Sequence, residues 1–224
     1  MKGYILFLLC FFLSCLPAES QTRQEIIAQY QKELGDYASL FTGKVEVPYD
    51  ATSFNSLPYL HEDGSFRKGT VCFGGVPYEQ VNLRIDLYMN QLVVETPQKH
   101  LKVVPQKEKT SFFTIDGQRF VNVRGTFVRE EYAGRQCQLY SHLYRVQDVP
   151  DTQQSRKRVQ FKSKTALWLV SDGQVEIIKD LSDLQSFFPS RKEDIRQYAK
   201  EMNLKFNAKN RIASIRAIVE FLER

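Results

Sequence analysis

Between Val81 and Tyr88 the chain alternates without an error. Val81, Leu83, Ile85 and Leu87 stand on one side, and Asn82, Arg84, Asp86 and Tyr88 on the other. A period of two belongs to extended chain, and one apolar side with one polar side belongs to an antiparallel strand between a core and water. Asp86 therefore falls on the wet face in this reading. Met89-Asn90-Gln91 follows as a turn, because Asn tolerates positive φ, and Leu92-Val93-Val94 returns as the second strand. Asp86, Tyr88 and Asn90 also resemble a metal- or sugar-binding cluster, but the flanking period favours a hairpin.

The same grammar recurs downstream. Phe112 to Ile115 leads through Asp116-Gly117 to Phe120, Val121 and Val123, and Leu167 to Val170 leads through Asp172-Gly173 to Val175, Ile177 and Ile178. Asp-Gly between alternating runs is a strong hairpin signal. Phe127 to Tyr132 turns at Ala133-Gly134 into Cys137, Leu139 and Leu143, and weaker strands lie around Val71-Cys72-Phe73 and Lys102-Val103-Val104. Helical spacing occupies both ends. At the first end, Ile26, Ile27, Tyr30, Leu34, Tyr37 and Leu40 mark a helix from Gln24 to Phe41, interrupted at Gly35. Beyond Lys179, Pro189 marks a break and Ser190 with Glu193 reads as a capping box, followed by the stripe Ile195, Tyr198, Ala199 and Met202. Asn207 reads as the cap of a last helix carrying Ile212, Ile215, Ile218, Val219 and Leu222. The expected fold is α+β: a curved antiparallel β-meander of about 8–10 strands with an N-terminal helix and two or three C-terminal helices.

Lys2, the apolar run Tyr4 to Leu16, and Ala18-Glu19-Ser20 have the form of a secretory signal peptide over residues 1–20, with cleavage between Ser20 and Gln21. A membrane span needs about 20 apolar residues, more than this run offers before Pro17 and Glu19. Leu13-Ser14-Cys15 offers the alternative of a lipid-modified Cys15, against which Phe12 occupies a position usually held by Leu. The expectation is an exported protein, periplasmic or secreted, with one β-rich domain over residues 21–224 that becomes helical from about residue 181.

Removing the signal takes Cys10 and Cys15, leaving Cys72 and Cys137, which read as two small buried hydrophobes, the alternative being one disulfide. A net charge of +5 would invite nucleic acid in a cytosolic protein, but export argues against it. Weak contact with anionic surfaces is what the charge leaves.

The runs Ala38-Ser39-Leu40-Phe41-Thr42-Gly43-Lys44, Leu57-Pro58-Tyr59-Leu60, Gly69 to Tyr78, and Leu83 to Tyr88, with Phe187-Phe188-Pro189 to Leu204-Lys205-Phe206, resemble a family of uncharacterised secreted proteins from Bacteroidota. The resemblance covers most of the mature chain. It implies a shared β-rich fold and export, and it brings no catalytic residues.

Catalytic motifs are missing. The histidines are His61, His100 and His142, and no G-x-S-x-G, H-E-x-x-H or glycine-rich phosphate loop occurs. His142 reads as a strand-surface residue beside Tyr140 and Tyr144. Cys72 and Cys137 lack the close pairing of a zinc site, and Glu130-Glu131 would point to opposite faces of a strand. No enzyme, metal or cofactor is expected. Arg156, Lys157, Arg158, Lys162 and Lys164 form one basic patch, read as a strand edge kept charged against edge-to-edge pairing, with an anion-binding patch as the alternative. The function expected is therefore that of a non-enzymatic envelope or secreted protein acting by binding to an unknown protein or envelope component. The alternative is a periplasmic carrier of a lipid or other apolar ligand in a half-barrel-like cavity.

Overall fold

The structure, a computed structural model, describes residues 25, 35–50, 52–148 and 159–224. The chain divides into two compact units, residues 1–38 and 39–224. The expected signal segment, and residues 26–34 of the expected first helix, lie outside the described residues. In the first unit, Gly35 stands at φ +54°, outside the right-handed helical region, and opens a 3-10 turn, Gly35–Tyr37.

Among the described residues the second unit is built on one antiparallel sheet of eleven strands, curved but not closed. These are β1 (Lys44–Val45), β2 (Arg67–Phe73), β3 (Val76–Asp86), β4 (Gln91–Glu95), β5 (Lys102–Val104), β6 (Thr110–Ile115), β7 (Gln118–Val123), β8 (Thr126–Ala133), β9 (Cys137–Asp148), β10 (Gln160–Ser171) and β11 (Gln174–Ile178). Their order is β1-β5-β4-β3-β2-β6-β7-β8-β9-β10-β11. The expected simple meander is thus corrected. From β6 onward each strand pairs with the next, but β2 to β5 run the other way, so β2 takes β6 as its neighbour.

Turn chemistry explains the hairpins. Asp116-Gly117 and Asp172-Gly173 both hold two consecutive positive φ values, +49° and +73°, the geometry whose twist matches that of the flanking strands. Arg124-Gly125 makes the β7–β8 turn with the same signs. Asn90, at φ +48°, ends the β3–β4 turn.

The curvature has a visible cause. The β8–β9 ladder stops at Arg129 opposite Ser141, whereas β9 continues beside β10 as far as Asp148 opposite Gln160. The β3–β4 turn enters the gap this leaves. Asn90 Oδ1 accepts from Phe127 N at 2.9 Å and its Nδ2 donates to Phe127 O at 3.0 Å, so one side-chain amide does for β8 what a neighbouring strand would do. Arg145 N of β9 donates to Leu87 O at 3.1 Å on the other side of the gap. Inside the curve Phe113 stacks on Phe120 at 5.0 Å and meets Phe127 edge-on at 5.2 Å. Val71, Leu83, Ile85 and Ile115 are buried as well.

Three helices, α1 (Leu181–Phe187), α2 (Lys192–Glu201) and α3 (Arg211–Leu222), close the chain from the residue range expected. Leu184, Ile195, Ala199, Ile215, Ile218, Val219 and Leu222 join Leu139, Leu167, Leu169 and Ile178 of the last strands in a second core. Burying each Leu, Ile or Val side chain of this set stabilises by roughly 1.5–3 kcal/mol.

Three expectations fail here. Met202 is 55% exposed, because α2 ends at Glu201 and Met202 caps it. Ser190 caps nothing: it sits within a 3-10 turn, Pro189–Arg191, that runs straight into α2, so it lacks the extended geometry of a cap, and Glu193 bonds Arg196 instead. Asn207 Oδ1 accepts from Asn210 N, one turn before α3, whose own N-cap position is Asn210. Among the described helices Asp180 is the side chain that acts as an N-cap, accepting from Ser182 N and Asp183 N at the start of α1.

Candidate functional site

Asp86 is 1% exposed and Arg84 7%, so the expected wet face of β3 is a second buried face. The reason is the connection between β1 and β2, which folds across it. Arg84 Nη2 donates to both Glu46 carboxylate oxygens, at 2.9 and 2.7 Å, and to the Tyr59 hydroxyl at 2.9 Å, while its Nη1 donates to Gly64 O at 2.6 Å. Tyr49 donates to Asp86 Oδ2 at 2.7 Å, and Asp86 Oδ1 accepts from Tyr88 N and Met89 N. Arg145 reaches Tyr59 O and Glu62.

Burial raises the Asp86 pKa, with the hydrogen bonds from Met89 N, Tyr49 and Tyr88 N pulling the other way. Burial, then the bond to Asp86, likewise raises that of Tyr49. Phe54 and Phe161 stack at 5.3 Å and Tyr49 meets both edge-on, sealing this layer. Each carboxylate has its donors within the network, so the group ties a loop to a sheet.

Cys72 and Cys137 are free and buried. Burial, helped by a 3.2 Å contact with Glu223, pushes the Cys137 thiol up to about 12 and makes it a poor nucleophile. His142 lies between Tyr144 and Trp168, each ring 5.1 Å away, and burial lowers its pKa, with a further contribution from Lys107. Among the described residues no three His, Cys, Asp or Glu side chains gather as a metal site. Lys162 pairs with Asp148 at 2.7 Å and Lys164 stands exposed on the same strand, whereas Arg156, Lys157 and Arg158 lie outside the described residues. β11 pairs only with Leu167 to Ser171 of β10, so both lysines precede the stretch that β11 covers.

The opposite situation holds on β11, the last strand of the sheet. Ser171 and Gln174 flank the two-residue turn, which makes them a hydrogen-bonded pair, and alternation then pairs Glu176 and Ile178 in the same way. Val175 and Ile177 consequently turn their N–H and C=O groups to the free edge, and these groups have no partner among the described residues. A groove of about 580 Å³ runs here between β11 and α1. Ile177, Ile178, Phe187 and Phe188 are its apolar lining, and Asp172, Glu176 and Asp183 its charged one. Among the described residues no Lys or Arg lines it. Ile177 is 53% exposed. The Asp172-Gly173 turn that begins the strand is held by Arg124, which donates to Gly173 O, and the Asp180 cap fixes where α1 starts.

Sequence periodicity located β11, and α1 begins where a helical segment was expected, but the groove was not legible, because the lone acidic residues Asp172, Glu176 and Asp183 form no run. No protein-family model, curated protein or solved structure matches this chain.

Proposed function

We propose that the chain is an exported, non-enzymatic protein that acts by binding, and that β11 is where an extended, basic segment of a partner protein docks. The observation that carries this is the edge at Val175 and Ile177, unpaired among the described residues, beside a groove whose described charged lining is wholly acidic. An added strand obtains main-chain hydrogen bonds from such an edge, and its alternate side chains supply the specificity. Lys or Arg at every second position would face Asp172, Glu176 and Asp183, and apolar residues between them would cover Ile177. The carrier alternative needs space inside the curve of the sheet, where Phe113, Phe120 and Phe127 pack on one another, so docking at the edge is the better supported reading.

The test is fluorescence anisotropy with a blocked, labelled peptide of alternating Lys and Val, against one of alternating Glu and Val. Saturable binding of the first alone is expected. Combining Asp172→Lys with Glu176→Lys should weaken it at least about tenfold, or ~1.4 kcal/mol. Val175→Pro should do the same by removing the outward N–H, a change that edge strands tolerate. Equal binding of both peptides, or indifference to the charge reversal, would refute the proposal.

A further inference from the structure

Between the β3–β4 turn, β5 and the 3-10 turn Lys107–Lys109 lies a second cleft of about 400 Å³, which shares no lining residue with the β11 groove. That is within the ~300–1,000 Å³ usual for small-molecule sites. Leu92, Pro105 and Phe127 form its buried wall, and Met89, 56% exposed, stands at its mouth. One charge reaches the inner part. The Lys107 ammonium lies 5.3 Å from the centroid of the Phe127 ring and donates to Asn90 Oδ1 at 3.2 Å. That oxygen already accepts from Phe127 N, and among the described residues no carboxylate comes within ion-pair distance of Lys107. Burial lowers the Lys107 pKa, with Glu108 opposing, as expected of a cation short of both water and counter-charge. Glu108 and Lys44, both exposed, occupy the rim.

We propose that this cleft binds a small amphiphilic carboxylate, its headgroup on the Lys107 ammonium and its apolar chain along Phe127, Leu92 and Met89. A monoanion matches the single inner cation. A dianionic phosphate would bring a second charge against apolar walls and toward Glu108. A neutral lipid would leave Lys107 unpaired.

The probes are decanoate and decanol, titrated into the full chain by calorimetry and by NMR of methyl-labelled methionine. Decanoate should bind below its micellar range at least about tenfold more tightly than decanol, corresponding to ~1.4 kcal/mol. The Met89 methyl resonance should move saturably while that of Met202, exposed at the end of α2, stays fixed. Lys107→Met should erase the preference for decanoate, and Lys107→Arg should keep it. Met89→Glu, an exposed change that leaves Lys107 in place, should also weaken decanoate binding and guards against a folding defect in the lysine variants. Decanol binding as tightly as decanoate, unchanged affinity in Lys107→Met, or parallel shifts of Met89 and Met202 would each overturn the proposal. The peptide test on β11 addresses another face and fails or succeeds independently.

Discussion

Arg84 and Glu46 meet with both side chains shielded from water, where the attraction between them must offset the loss of their hydration. Such a pair adds little relative to well-packed apolar residues, but breaking it from one side strands a charge. Glu46→Gln should therefore cost about 3–5 kcal/mol in urea unfolding, and the double change Glu46→Leu with Arg84→Met distinctly less than the sum of its parts. Asp86, in the same layer, carries a pH signature. Its folded pKa is raised above the unfolded value by burial, so its contribution to stability is fully present below the unfolded pKa and is lost as pH rises through the folded one. Asp86→Asn, which cannot ionise, should gain on the natural protein between acid and neutral pH, whatever constant offset its altered bond to Tyr49 introduces. Unfolding midpoints taken across that range would show the trend, and a flat difference would contradict it.

Glu223, just past α3, shows the reverse sign. Its carboxylate accepts from Arg135 N at 2.7 Å, Gln136 N at 3.0 Å and Cys137 N at 2.7 Å, clasping the end of the last helix to the β8–β9 loop. Burial alone would raise its pKa, but the bonds from the three backbone N–H groups and the Cys137 thiol together bring it below the ordinary value. Stability from a lowered carboxylate is present above its unfolded pKa and is lost as pH falls through the folded one. The amide protons of Arg135, Gln136 and Cys137 should thus titrate together in NMR spectra, with a midpoint below that of an ordinary glutamate, and the transition should vanish in Glu223→Gln. Nothing in the order of residues announced this clasp, since its parts stand far apart in the chain. The Asp116-Gly117 and Asp172-Gly173 hairpins were legible because two adjacent residues decide a turn. Arg124-Gly125 was not, because arginine seldom takes positive φ. The burial of Asp86 was equally hidden: alternation in β3 reports one apolar face, whereas Glu46, Tyr49, Tyr59 and Gly64, which cover the other, come from a stretch with no period at all. The β11 edge could be placed from its alternation, but its lack of a further neighbour depends on the path of the whole sheet.

At the scale of the molecule, two buried free thiols imply that reductant leaves the thermal midpoint unchanged, and a marked drop would mean that Cys72 and Cys137 pair after all. The seam between β8 and β9 carries a further consequence. Past Arg129 and Ser141 the β8–β9 ladder ends, and the sheet is held there by the Asn90 amide on one side and the Arg145–Leu87 bond on the other. Proteins open locally where few bonds must break at once, and hydrogen exchange reads out the free energy of each opening. The amides of Phe127 and Arg145 should exchange with deuterium sooner than that of Phe113 in the ladder of β6, and Asn90→Ala should speed the first two while leaving the third almost untouched. A sheet closed in this way breathes along a chosen line, with one asparagine setting how often.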